Sequence, residues 1–202
     1  SDEVKKNEIE LYKKKINRYG VPLDSRADYT KIDWLMWSTC IWKDKEYMDA
    51  VCDAIIRMFA DACEQEGMTF CVYYSQMQDW EHPHGNGNTW DFDPQAQSFE
   101  KYFYEKCVPQ VKELLTNYGK IDIIWFDYSY GSEGDPVWTK GKDKEDWESE
   151  KLIETARSLQ PHILINSRSG IEQDFAGPEQ YQMLQWPRHK ETGELMVWEV
   201  CH

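Results

Sequence analysis

The sequence predicts an α/β fold, a (β/α)8-like TIM barrel of which this chain supplies only part. Short apolar runs alternate with helix-patterned stretches, the arrangement of parallel strands joined by helical crossovers. The runs end in polar or ionisable residues: Ser75-Gln76, Asp127, Asn166 with Arg168, and Glu199. Such groups at the carboxyl ends of strands are what a barrel active site needs. About four strand patterns fit into the 202 residues, whereas a whole barrel takes ~250 residues. Residues 1–202 therefore read as a single partial catalytic barrel that lacks early and late units.

Each element follows from a local pattern. Ser1 to Tyr19 is lysine-rich with a broken apolar stripe, Val4, Ile9, Leu11 and Ile16, which predicts a surface helix. Gly20 to Cys40 holds Pro22, Asp24, Ser25, Trp34 and Trp37. It reads as an ordered loop, because linkers lack aromatics. Met48, Val51, Ile55, Phe59 and Cys63 recur at helical spacing within Asp44 to Glu66, and Gly67 stops that helix. Met68 to Ser75 reads as a buried strand, and Gln76 to Asp93 as a loop rich in His, Gly, Asn and Trp. Pro94 opens the next helix, whose stripe is Phe99, Phe103, Cys107, Val111 and Leu114. Pro109 should kink or split it.

The run from Ile121 to Asp127 (IDIIWFD) follows Gly119 and precedes a turn-rich loop to about Lys142. A continuous apolar run bounded by turn signals predicts a strand buried on both faces. Asp127 sits at its carboxyl end, where it either serves chemistry or caps the loop. Asp143 to Leu159 is the third main helix, with Trp147, Leu152, Ile153, Ala156 and Leu159 on its face; Pro161 ends it. His162 to Asn166 and Leu195 to Val200 are further strands, the latter carrying Glu199.

Composition narrows the function. With 41% hydrophobic and 14% aromatic residues the chain can bury a sizeable core. A formal charge of -14 repels nucleic acid and anionic membranes, so neither is an expected partner. No run is long enough to span a bilayer, and the N-terminus is not a signal peptide. The six cysteines form no CxxC pair and read mainly as buried thiols. Compartment and oligomeric state stay open. There is no GxGxxG or GxxxxGK[ST], so nucleotide cofactors lose weight. His82-Pro83-His84 lacks a third ligand for a metal site and reads as a solvated loop. Trp80, Trp90, Trp138 and Trp186 stand in loops, where aromatics suit the apolar faces of sugar rings. Carboxylates at strand ends, loop aromatics and no cofactor motif together point to glycoside hydrolysis, which needs one ionised and one protonated carboxyl group.

The residues also carry a family resemblance. Gly67-Met68-Thr69-Phe70-Cys71-Val72-Tyr73-Tyr74-Ser75, followed by Asp79-Trp80 and His82-Pro83, resembles a stretch of the alpha-L-fucosidases, glycoside hydrolase family 29. Leu114-Leu115-Thr116-Asn117-Tyr118-Gly119 leading to Trp125-Phe126-Asp127 resembles the family's W-F-D strand. Ile165-Asn166-Ser167-Arg168 resembles its N-x-R strand end, and Trp198-Glu199-Val200-Cys201 its W-E-x-C stretch. The likeness runs from about Ser25 to the end, so residues 1–24 match poorly.

The resemblance implies a retaining exo-glycosidase that removes alpha-L-fucose from glycans, with a fucosylated oligosaccharide or glycoconjugate as substrate and no metal or organic cofactor. Carried over by residue, Asp127 is the nucleophile, Trp125 borders the fucose, and Arg168 lies near both. One of Tyr73 and Tyr74 is a fucose-site residue, with Tyr74 preferred. Trp80 and Glu199 join the substrate site. The acid/base is Glu179, with Glu199 as the alternative. Many bacterial members of the family are periplasmic or extracellular. The family's His-His-Asp-Gly-Phe stretch has no match here. This chain alone is therefore expected to be inactive or nearly so. A non-catalytic sugar-binding or remnant barrel, or a barrel glycosidase for another sugar, stays open.

Overall fold

The computed structural model describes residues 2–76, 78–87, 90–127, 144–145, 147–177 and 185–199. Glu179, Trp138 and Cys201 lie outside the described residues. The chain divides into two compact units, Ser1–Met68 and Thr69–His202.

The first unit is helical. Helix α1 spans Asp2–Lys15, with acidic residues in its first turn and Lys13, Lys14 and Lys15 in its last, each complementing the helix dipole. Helix α2 spans Ile32–Trp42, so the stretch expected to be a loop is in part helical. Its sequence (IDWLMWSTCIW) is apolar on nearly every side, which hides the 3.6-residue period that would have revealed it. Helix α3, Lys45–Gln65, is capped by Asp44, whose side chain accepts from the Tyr47 amide at 2.8 Å. Val21, Leu35, Tyr47 and Val51 form the buried centre of this unit. Gly20 has φ 116°, and a Cβ there would stand 2.6 Å from a Leu35 methyl, so only glycine fits.

The second unit is a mixed α/β layer. Strand β1 is Cys71–Ser75, and the two-residue strands β2 (Gln78–Asp79) and β3 (Asn86–Gly87) pair beyond it. A short 3-10 turn at Pro94–Ala96 precedes α4, Phe99–Tyr102. A π turn, Phe103–Cys107, leads into α5, Val108–Asn117. The expected break at Pro109 takes this form. Proline has no N–H and its ring crowds the carbonyl four residues back. The chain widens instead, and the Val108 amide bonds to the Phe103 carbonyl.

Strand β4 (Ile123–Asp127), helix α6 (Ser149–Leu159) and strand β5 (Leu164–Ile165) follow. The sheet order is β1-β4-β5, all parallel. Strands β6 (Phe175–Ala176) and β7 (Val197–Trp198) form another parallel pair, and an Asn166–Phe175 bridge joins β6 to the end of β5. The β6 strand is absent from the sequence reading because two residues carry no period. Ile121, Ile124, Phe126, Ile163 and Ile165 pack against Phe103, Val111, Leu115, Leu152 and Ala156 of the helical segments. Gln160 ties this core together: its Oε1 accepts from the Ile121 amide at 2.9 Å, and its Nε2 donates to the Leu115 carbonyl at 2.8 Å.

One expectation is corrected here. Among the described residues, strands β1 and β4 are fully covered on one face only. Ile124 and Phe126 are buried against helices, while Trp125 and Asp127 are half-buried and Tyr73 is 61% exposed. The described helices pack on one side of the sheet, and successive side chains of a strand point to opposite sides.

Candidate active site

The uncovered face of the sheet carries the polar groups. Register places Tyr73 opposite Trp125 and Ser75 opposite Asp127. The Tyr73 and Trp125 rings stack, with centroids 5.6 Å apart and planes at 19°. Long side chains reach diagonal neighbours across a sheet, and the Tyr73 hydroxyl donates to Asp127 Oδ2.

The other carboxylate oxygen is held from the turn that follows β5. Arg168 Nη2 donates to Asp127 Oδ1 at 2.8 Å, in an ion pair whose side chains are 12% and 29% exposed. A charge-assisted bond of this kind is stronger than a neutral one. The guanidinium carbon lies 5.0 Å from the centre of the Trp125 ring, within cation–π range. Arg168 stands in a 3-10 turn, Ser167–Ser169, directly after Asn166. Asn166 is fully buried and bonds through its side chain to both backbone polar atoms of Phe126, at 3.0 and 2.8 Å.

The β6–β7 pair brings in a second carboxylate. The Glu199 amide donates to the Ala176 carbonyl at 3.0 Å. Glu199 Oε1 accepts from Trp125 Nε1. Gly177 completes the wall: a Cβ there would lie 3.0 Å from Glu199 Oε1, 3.5 Å from Trp125 and 3.6 Å from Arg168. Asp127, Tyr73, Arg168, Trp125 and Glu199 thus form one contiguous cluster, with an anionic oxygen pair fixed beside an aromatic ring.

A family model described as Alpha-L-fucosidase matches residues 33–202. The chain belongs to the alpha-L-fucosidase family. The enzyme AlfC from Lactobacillus casei, solved with alpha-L-fucose product, is 32% identical at TM-score 0.57, over 75% of this chain and 46% of that one. Alpha-L-fucosidase isoenzyme 1 from Paenibacillus thiaminolyticus is 33% identical at TM-score 0.61, over 75% of this chain and 38% of that one. The alpha-L-fucosidase of Vibrio sp. strain EJY3 is 25% identical at TM-score 0.57, over 74% and 26%. The chain spans less than half the length of these solved enzymes. No curated protein sequence matches it.

Within this fucosidase-family chain, four residues singled out in the sequence come together: Asp127, Trp125, Arg168 and Glu199. Tyr74 does not. It faces the helices, and its hydroxyl donates to Gln110 Oε1 at 2.9 Å and reaches the Cys107 carbonyl at 3.4 Å. Burial pushes its phenol far above the usual range. Tyr73 is the residue beside Asp127, because the odd-numbered side chains of β1 share the face of Trp125. Trp80 is exposed and packs against Trp90 rather than on Trp125. Asn166 was named in the sequence as a polar strand end without a role of its own; Gly177 was not singled out, and nothing local held its signal.

Among the described residues, no group of three His, Cys, Asp or Glu side chains could hold a metal ion. His82 and His84 are partly buried instead. His82 Nδ1 accepts from the His84 amide at 3.1 Å, and His84 Nδ1 accepts from the Ser98 amide at 3.3 Å.

Proposed function

We propose that this chain carries the fucose-cleaving centre of a retaining exo-alpha-L-fucosidase built on a (β/α)8-like barrel. The observation that supports it best is the Asp127 carboxylate, held by Tyr73 and Arg168 beside the Trp125 ring at the end of a central parallel strand. Parallel strands whose order follows the chain, from β1 through β4 and β5 to β6 and β7, favour the barrel. Asp127 attacks the anomeric carbon of the fucoside and expels the leaving sugar, giving a glycosyl-enzyme that water then hydrolyses. The solved AlfC carries alpha-L-fucose as its product, and the substrate here is a fucosylated oligosaccharide or glycoconjugate.

A second carboxyl group must protonate the leaving oxygen and then activate water, from about 5–5.5 Å across the site. Glu179 is the choice from the sequence resemblance. Glu199 has an observation in its favour, the Trp125 hydrogen bond that sets it on the wall of the same cluster.

The test is hydrolysis of nitrophenyl alpha-L-fucoside by the full-length protein that carries this chain. Asp127→Ala should remove at least ~1000-fold of turnover, and NMR should find the alpha anomer of fucose first. Near-normal turnover in the variant, or the beta anomer first, overturns the assignment. Losing the acid should spare this good leaving group and cripple a natural glycan. Azide should then rescue the variant and yield fucosyl azide of retained configuration. Glu179→Ala and Glu199→Ala compared in this way identify the acid. No release, with fucose still raising the melting temperature, assigns a non-catalytic sugar-binding role. Release from another aryl glycoside alone assigns another sugar.

A further inference from the structure

The chain from Pro187 to Met196 folds back on itself. Arg188 and Leu195 pair antiparallel, the His189 amide donates to the Glu194 carbonyl at 2.9 Å, and the Met196 amide donates to the Pro187 carbonyl at 2.9 Å. This hairpin runs directly into β7 and then Glu199, whose Oε1 accepts from Trp125 Nε1. A strand as short as Val197–Trp198 draws little hold from its own ladder. Where Glu199 stands therefore depends on what holds the hairpin.

The Glu172 carboxylate holds its far end. His189 Nδ1 donates to Glu172 Oε1 at 2.6 Å, and the Lys190 amide donates to Glu172 Oε2 at 2.9 Å. Both oxygens are engaged, by two consecutive residues. The Lys190 amide, and after it His189, keep the Glu172 carboxyl below its ordinary range. Hydrogen bonds to an ionised acceptor are the stronger kind.

Glu172 itself stands on a braced loop. Ser167 Oγ accepts from the Gln173 amide at 3.0 Å and donates to the Phe175 carbonyl at 2.9 Å. The Asp174 side chain accepts from the Ile165 amide at 2.7 Å, and the Asp174 amide donates to the Ile165 carbonyl at 3.1 Å. Arg157 pairs with the same Asp174 carboxylate. This loop leaves the turn that carries Arg168. Glu172 thus couples the Arg168 side of the cluster to the Glu199 side.

We propose that Glu172 is a positioning residue: by fixing the hairpin it sets the Glu199 carboxylate against Trp125, and with it one wall of the fucoside site. That the wall serves a fucoside rests on the function proposed above; that Glu172 sets it rests on the contacts alone.

The test uses the full-length protein that carries this chain, with isotope-labelled tryptophan. The Trp125 indole N–H resonance is identified in NMR by its loss in Trp125→Phe. Glu172→Ala should shift that resonance and lower kcat/KM for nitrophenyl alpha-L-fucoside about tenfold. His189→Phe, which keeps the Lys190 contact, should change both in the same direction and by less. Glu172→Gln can still accept from the Lys190 amide and donate to a neutral imidazole. It should leave the resonance near its wild-type position and kcat/KM within about threefold of wild type. A lower melting temperature in Glu172→Ala with an unmoved resonance makes the contact a surface tie and overturns the proposal. Equal losses in the glutamine and alanine variants overturn it as well, since the charge rather than the grip would then matter. A moved resonance with unchanged turnover takes Glu172 out of the reaction and overturns it too. If the wild type releases no nitrophenol, the fucoside reading fails. A resonance that moves in Glu172→Ala and returns in Glu172→Gln then still supports the positioning.

Discussion

The side chain of Asn166 grips the backbone of Phe126 at both polar atoms: Oδ1 accepts from the amide at 3.0 Å and Nδ2 donates to the carbonyl at 2.8 Å. Backbone pairing of β4 with β5 ends one step earlier, at Ile124 and Ile165. The amide side chain thus supplies the next rung of the ladder. Asp127 follows Phe126, and Arg168 lies two residues past Asn166, so this rung sets the approach of the ion pair. Asn166→Leu keeps the bulk and strands two buried backbone groups, which should cost about 2–4 kcal/mol. Asn166→Asp keeps the acceptor but sets a buried carboxylate against the Phe126 carbonyl, so it should cost at least as much. Urea denaturation measures both, and a loss under about 1 kcal/mol in the leucine variant would mean that the rung holds nothing.

The two tyrosines of β1 should separate activity from stability. Tyr73→Phe removes the hydroxyl that donates to Asp127 from a ring that is 61% exposed. Fucoside turnover should fall at least about tenfold, with stability within about 0.5 kcal/mol of wild type. Tyr74→Phe removes a buried bond to Gln110. It should cost about 1 kcal/mol of stability and leave the kinetic constants near normal. Equal kinetic loss in both variants would place the functional hydroxyl elsewhere.

Gly177 stands where a methyl group would press on Glu199 Oε1 at 3.0 Å. Gly177→Ala should push Glu199 off Trp125 Nε1 at a cost below about 1.5 kcal/mol. The Trp125 indole N–H resonance in NMR should shift. An unmoved resonance would show that the wall gives way without disturbing that bond.

The braced loop after β1 should loosen in acid. Burial holds the His82 imidazole below its ordinary 6.5, with His84 and Lys106 adding to the effect against Asp79 and Glu105. A histidine depressed in the fold contributes stability above its ordinary pKa and loses it as pH falls below that value. Burial pushes the Asp79 carboxyl up, but the His82 and Glu81 amides and Lys106 outweigh it, so the group sits below its ordinary 3.8. Its contribution persists above that value and disappears as pH falls through the lower folded one. Protection of the amides of Glu81, His82 and Gly85, corrected for intrinsic exchange, should therefore fall in two stages, the first beginning below about pH 6.5. His82→Phe should remove the first stage and keep the second.

Periodicity and strand-end chemistry were legible without coordinates. The helical spacing through Met48, Val51 and Ile55 foretold α3, and the run ending in Trp125-Phe126-Asp127 foretold β4. Trp125 and Asp127 lie two residues apart in a strand, so their shared face followed from alternation alone. The W-F-D and N-x-R motifs carried Asp127 and Arg168 into one site. Alternation says which side chains share a face, but not which face looks toward the site. Tyr73 rather than Tyr74 was decided by the pairing of Tyr73 with Trp125, a register that no local pattern encodes. Glu199 meets Trp125 across 74 positions of chain, through β6 and β7, strands of two residues each. Contacts of that kind depend on how distant segments pack, and their free energy is spread over the whole sheet rather than written in any one stretch of it.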